Sequence, residues 1–155
     1  MDNNNLDLLR KAGVDDYPIF TLKGYITYGK LLSNYDGDTG DILFTFQDKP
    51  IRMKSRFLGY DTNEMKPSLN DPNRDEKKRK AKLAKERLWE LCRGNNSNKL
   101  IKIKCEEFDK YGRLLVIAFD EEFKGELTFE NSINFKMIEE GHAYAYNGGT
   151  KLKDF

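Results

Sequence analysis

Three short clusters hold residue types that could do chemistry together. They are Tyr35-Asp36-Gly37-Asp38-Thr39, then Arg56-Phe57-Leu58-Gly59-Tyr60-Asp61-Thr62-Asn63-Glu64, then Asp109-Lys110-Tyr111-Gly112-Arg113. A hard divalent cation takes oxygen ligands, and carboxylates from separate chain segments supply them. Arginines offer planar, bidentate donors matched to phosphate oxygens. Carboxylates, a cation and two arginines are together the components of phosphodiester hydrolysis. The positive groups absorb charge developing on the phosphorane, and a further carboxylate handles the attacking water. Singly, each cluster also has a plain structural reading. Asp-Gly is turn chemistry, Asp61-Thr62 can end a strand, and Lys110-Tyr111-Gly112 can be a hairpin turn with charged flanks.

The elements that must position these clusters are legible from patterning. Short-interval β-branched and aromatic residues suggest strands over 21–34, 40–47 and 51–60, joined by Asp36-Gly37-Asp38 and by Asp48-Lys49. After a polar loop, Asp71 is expected as a helix N-cap with Pro72 at the first helical position and Asp75 and Glu76 near the positive dipole end. Ala81, Ala84, Leu88, Leu91 and Cys92 then form one apolar stripe, and Gly94 stops the helix. Two more strands are expected at 100–107 and 114–119, with the turn at Asp109 to Gly112. Asn131 or Ser132 can cap a last helix bearing Ile133, Met137 and Ile138, which Gly141 ends. A short helix is possible over 6–12.

Five short strands broken by a helix indicate a mainly β, α+β fold built on a closed barrel rather than a βαβ sheet. One spacing resists this simple picture. Arg56 and Asp61 are an odd number apart, so on a regular strand they face opposite sides. They converge only if the chain bends near Gly59.

Composition sets the class. The chain has 155 residues, 38% hydrophobic, with ten Phe and eight Tyr, enough for one small core and too aromatic for a disordered protein. No apolar run is long enough to span a membrane. Lys plus Arg number 27 against 26 Asp plus Glu, but the total conceals a segregation. Residues 74–104 hold twelve basic and four acidic side chains, and residues 105–140 hold ten acidic and four basic. The run Lys77-Lys78-Arg79-Lys80 can steer a polyanion or simply be a solvated helix face. The polar, acidic N-terminus is unlike a signal peptide, so the chain is expected to be intracellular, or a mature form whose leader has been removed. Cys92 and Cys105 lack metal-ligand spacing and are expected as reduced, partly buried thiols. His142, the only histidine, is expected to be structural. The expected organisation is an N-terminal extension over 1–20, a domain over 21–147, and a flexible tail over 148–155 that starts at Gly148-Gly149.

Taken together and in this order, the three clusters resemble the motifs of the staphylococcal (thermo)nuclease family: Asp-Gly-Asp-Thr, Arg-Leu-x-Gly-x-Asp-x-Pro-Glu and Asp-x-Tyr-Gly-Arg. They stand here at Asp36 to Thr39, Arg56 to Glu64 and Asp109 to Arg113. The resemblance runs from about Tyr25 to Tyr146 and implies an OB-fold five-stranded barrel with about three helices. It also implies calcium (Ca2+) held by Asp38, Asp61 and the Thr62 carbonyl, with Asp36 close behind. Arg56 and Arg113 would clamp the scissile phosphate, and Glu64 would orient or deprotonate water. Lys110 and Tyr111 would touch a terminal phosphate, and Tyr144 and Tyr146 fall in the region that stacks on the base. The implied activity is cleavage of DNA and RNA to 3′-phosphate ends by a protein expected to be monomeric. Two positions depart from the pattern: Asn63 replaces the proline and Phe57 the leucine. The competing reading is a catalytically silent barrel that only binds nucleic acid or protein, since such barrels also occur without a working site.

Overall fold

The computed structural model describes residues 2–155. An antiparallel meander comes first, made of β1 (Ile26–Asn34), β2 (Thr39–Phe46) and β3 (Lys49–Phe57). Strand β1 starts later than expected because Leu22 to Tyr25 close a turn, with the Tyr25 N–H on the Leu22 carbonyl at 2.9 Å. The β2–β3 reversal uses Gln47 and Asp48, both at positive φ (51° and 65°). Such a two-residue turn matches the strand twist, so β3 begins at Lys49.

The expected third strand to Tyr60 is instead two pieces. Strand β3 ends at Phe57, Leu58 and Gly59 reverse the chain, and Tyr60–Asp61 forms the separate β4. Helix α2 then runs Arg74–Cys92 and buries Ala81, Ala84, Leu88 and Cys92, with Leu91 packed at the edge of the core. Asp71 is not its N-cap. The position belongs to Asn73, because Asp71 is used in the preceding turn, accepting from the Asn73 N–H at 2.8 Å and from Lys77 at 2.6 Å. Strands β5 (Ile101–Phe108) and β6 (Leu114–Asp120) follow. A 3-10 turn at Phe129–Asn131 leads into α3 (Ile133–Glu139), which Ser132 caps by accepting from the Phe135 N–H at 3.0 Å. The last strand, β7 (Tyr144–Ala145), pairs with β4. Helix α1 (Asn3–Lys11) precedes all of this and buries none of its residues.

The five long strands close into a barrel in the order β1-β2-β3-β6-β5. This is an α+β fold with an OB-like barrel and three helices. Closure depends on one short parallel pairing, Ser55 to Phe57 against Leu114 to Val116. Leu31, Ile42, Phe57, Ile101, Ile103, Leu114 and Val116 fill the interior as inward-facing alternate residues. Helix α3 secures the seam through Asn134. Its buried amide oxygen accepts from the Ala118 N–H (2.9 Å), and its nitrogen donates to the Leu58 (2.8 Å) and Val116 (3.0 Å) carbonyls. Cys92 and Cys105 are free, buried thiols whose ionisation burial pushes up, to about 12 and about 11. Among the described residues no helix is long and apolar enough to cross a membrane.

Gly59 is the joint of the β3–β4 bend. It sits at φ +91°, and a Cβ there would lie 2.5 Å from the Phe129 ring. Gly59→Ala is expected to destabilise the chain by at least about 1–2 kcal/mol from backbone conformation alone, with the ring contact adding to it. Chemical denaturation checks this, and an unchanged midpoint would show that the bend does not need glycine.

Candidate functional site

The site is assembled at the barrel rim from the three clusters and the chain after α3. In the β1–β2 turn, the Asp36 carboxylate accepts from the Asp38 N–H (3.0 Å), the Thr39 N–H (2.8 Å) and the Thr39 hydroxyl (2.7 Å). This is ordinary Asx-turn chemistry, and it aims the next carboxylate, Asp38. The turn is pressed onto its neighbours at Gly37, where a Cβ would stand 2.8 Å from both Ala84 of α2 and Thr62. The β2–β3 register sets Thr39 opposite Arg56, and Arg56 Nη1 donates to Asp38 Oδ2 at 3.0 Å. Beyond the Gly59 bend, β4 returns Asp61 to the same guanidinium, with Arg56 Nη2 3.7 Å from Asp61 Oδ1 and 3.2 Å from the Tyr60 carbonyl. The buried Tyr60 hydroxyl ties β4 to the first turn by donating to the Gly37 carbonyl at 2.7 Å. The odd spacing between Arg56 and Asp61 is thus resolved by the bend.

Arg113 arrives through the barrel seam. Because β3 and β6 run parallel with Arg56 beside Leu115, the residues entering β6 lie next to Arg56. Asp109 orients Arg113, accepting from its Nε at 2.7 Å and, with the other oxygen, from the Tyr111 and Arg113 N–H groups, each at 2.9 Å. The result is a cleft of about 340 Å³ lined by Asp36, Asp38, Arg56, Asp61, Thr62, Asn63, Glu64 and Arg113, among others. Glu64 is exposed at its edge.

Two smaller clefts flank it. One, about 270 Å³, shares Arg56 and Arg113 and is walled by Lys110, Tyr111 and Tyr146. The other, about 220 Å³, shares Asp61 to Glu64 and is walled by Ser68, Lys77, Tyr144, Lys151 and Lys153. The structure therefore separates the two tyrosines. Tyr146 stands in the cleft with Tyr111, whereas Tyr144 is on the carboxylate side and donates its hydroxyl to Asp61 Oδ2 at 2.9 Å. Burial, and then that contact, push the Tyr144 hydroxyl up to about 12. Lys151 also reaches Asp61 Oδ2, at 3.4 Å. Lys151 carried no sequence signal, since it is separated from Asp61 by most of the chain and lies past the Gly148-Gly149 pair. His142 is at the far end of α3, 4.0 Å from Glu140, away from this cleft. The Lys77 to Lys80 run is not one uniform face: Lys77 turns to the site, Arg79 pairs with Glu76, and Lys80 binds the Phe155 carbonyl.

Charge is unbalanced in the main cleft. Asp38 is buried, with Asp36 and Asp61 beside it, and Arg56 only partly offsets them. Desolvation first, then the Asp36 charge, raise its proton affinity from 3.8 to about 9. Burial also opposes ionisation of Asp61, but hydrogen bonds from Asp38 and Tyr144, with Lys151 and Arg56 nearby, outweigh it and hold Asp61 low. The two carboxylates titrate together, with Asp38 pushed toward its protonated form and Asp61 toward its ionised form. Among the described residues no group of three or more His, Cys, Asp or Glu side chains is disposed to hold a metal ion. The acidic donors lining the cleft are the carboxylates of Asp36, Asp38, Asp61 and Glu64, all oxygen. An oxygen-only, crowded acidic set of this kind fits a hard cation by donor type.

Since Asp38 binds a proton more tightly folded than unfolded, its contribution to metal-free stability is full below about 3.8 and falls as pH rises toward about 9. Asp38→Asn is expected to remove this slope and to raise the melting temperature at pH 8 in chelator by at least about 2 °C. Thermal denaturation between pH 6 and 9 measures both, and an unshifted variant would mean that Asp38 is not strained.

In comparisons with known proteins, no protein-family model matches this chain and no curated protein sequence matches it.

Proposed function

We propose that the chain is a metal-dependent phosphodiesterase that hydrolyses nucleic acid. The observation that carries the reading is the convergence of Asp38 and Asp61 on Arg56, in one cleft with Glu64 and Arg113. This convergence agrees with the motif resemblance, in which these positions hold a cation, clamp a phosphate and manage water. In the proposed site Asp38, Asp61 and the Thr62 carbonyl hold Ca2+, which when bound supplies Lewis-acid charge at the phosphate. Arg56 and Arg113 approach the phosphodiester from the two sides of the barrel seam and stabilise the charge that accumulates in the transition state. Asp38 accepts from Arg56 Nη1 and fixes the direction of the guanidinium. Glu64, exposed and adjacent, orients the attacking water or takes its proton. Attack opposite the 5′ oxygen leaves the phosphate on the 3′ side.

The flanking cleft supports a nucleotide rather than a small phosphodiester. Lys110 and Arg113 both lie over the Tyr111 ring, at 5.2 and 5.3 Å, and Tyr146 lines the same space. An aromatic wall edged by cations can take a base on its face and a phosphate at its rim. Stacking on an aromatic face is tolerant of base identity, and the motif resemblance extends the proposed substrates to both DNA and RNA.

Digestion of plasmid DNA and of RNA, with calcium, magnesium or chelator in parallel, tests this directly. Cleavage is expected with calcium and none with chelator, and a chain that binds the nucleic acid intact in every lane would be a binding module instead. Arg56→Ala and Arg113→Ala are each expected to lower turnover by at least about a hundredfold, the scale of losing one transition-state donor. Near-normal turnover in either variant would sink the assignment.

A further inference from the structure

The chain beyond Gly148 brings a cation to the site that the three clusters do not include. Gly148 and Gly149, at φ +103° and +88°, turn the backbone back toward the rim. Tyr146 donates to the Gly149 carbonyl at 2.8 Å, and the Leu152 N–H donates to the Tyr144 hydroxyl at 3.3 Å. Phe155 packs edge-on against Tyr144, with ring centroids 4.9 Å apart, and its carbonyl accepts from Lys80 of α2 at 2.7 Å. Lys151 is thereby carried over Asp61, with its ammonium 3.4 Å from Oδ2. Its side chain remains 49% exposed, so the ammonium is open to solvent and to a ligand on that side. Lys151 also lines both the main cleft and the lysine-walled cleft next to it.

Lys151 is therefore at the junction of two compartments of one trough. On one side is the Arg56/Arg113 space, continuous with the Tyr111 cleft. On the other is the cleft of Lys77, Lys153 and Ser68. A polynucleotide with its scissile phosphate between the arginines and a base toward Tyr111 would bring a neighbouring phosphate to the Lys151 side of the cleft. Lys77 is already committed to Asp71 at 2.6 Å, whereas the hold of Asp61 on Lys151 is longer and goes to a carboxylate the cation would share.

We propose that Lys151 is a substrate-contact residue for the phosphate next to the scissile one, held on Asp61 until a divalent cation takes that carboxylate. Resting on the function proposed above, this assigns Lys151 two linked roles. Before the cation binds, the ammonium neutralises Asp61 and competes with it. Afterwards the ammonium has lost its partner and turns to the polynucleotide phosphate, so cation and substrate bind cooperatively through one side chain. The consequence is a preference for substrates with a phosphodiester on both sides of the cut.

The test compares Lys151→Gln and Lys151→Arg with the parent, using calcium alone and then a phosphorothioate-linked tetranucleotide with calcium. Without nucleotide, Lys151→Gln is expected to bind calcium about five- to tenfold more tightly, because a like charge at contact distance has been removed. With saturating calcium it is expected to bind the tetranucleotide about five- to tenfold more weakly, with a salt slope shallower by about one. Lys151→Arg is expected to match the parent in both measurements. Calcium affinity unchanged in Lys151→Gln, or tetranucleotide affinity unchanged, overturns the inference. A parent chain that binds no calcium removes the site reading and this inference with it. A parent that binds calcium and cuts nucleic acid beside an indifferent Lys151→Gln removes the role of Lys151 alone.

Discussion

Strand β3 pairs with β2 along one edge and with β6 along the other, and the site hangs on those two registers. The first sets Thr39 opposite Arg56, so the carboxylate one residue earlier, Asp38, meets the guanidinium. The second is the short parallel contact that closes the barrel, and it sets Arg56 beside Leu115, two residues past Arg113. A slip of one residue in either register would turn Arg56 to the other face of the sheet. Asn134 protects the second register by bonding the Leu58, Val116 and Ala118 backbone from a single buried amide. Without it, buried backbone groups at the seam would lack partners, an expensive defect in a dry interior.

The same closure creates the electrostatic condition of the rim. Aspartates 36, 38 and 61 crowd around Arg56 in a place where desolvation penalises charge, and the chain answers with local partners. Asp36 accepts turn donors, Asp61 takes Tyr144 and Lys151, and Asp38 is pushed toward its protonated form. Buried carboxylates set face to face do not improve a fold, and apolar residues of similar volume would pack there at lower cost. Keeping them there costs the fold stability, and perturbed carboxylates of this kind cluster at functional sites.

Most of the barrel was legible because its cues are local. Closely spaced β-branched and aromatic residues marked the long strands, Ala81, Ala84 and Leu88 marked the buried stripe of α2, and the pair Asn131 and Ser132, of which Ser132 is the cap, marked the start of α3. Errors occurred where a tertiary partner outbid a local preference. Asp71 has the side chain of an N-cap, but Lys77 and the turn at Asn73 claim it. Tyr60 has a strand residue's character, yet the Gly59 bend and the Gly37 carbonyl detach it into β4. Strand β7, two residues long, has no periodicity to detect and exists because β4 needs an edge.

The sequence by itself determined which chemistry is available, because residue type and short spacing are properties of a few consecutive positions. It was enough to single out Asp38, Asp61, Arg56, Glu64 and Arg113, and to show that Arg56 and Asp61 conflict on a regular strand. Only the tertiary structure decided that the conflict is resolved at Gly59, that Tyr144 and Tyr146 serve different clefts, and that Lys151 reaches Asp61. These depend on contacts between residues far apart in the chain. Barrel closure and the packing of α3 set those contacts, and no local pattern encodes them.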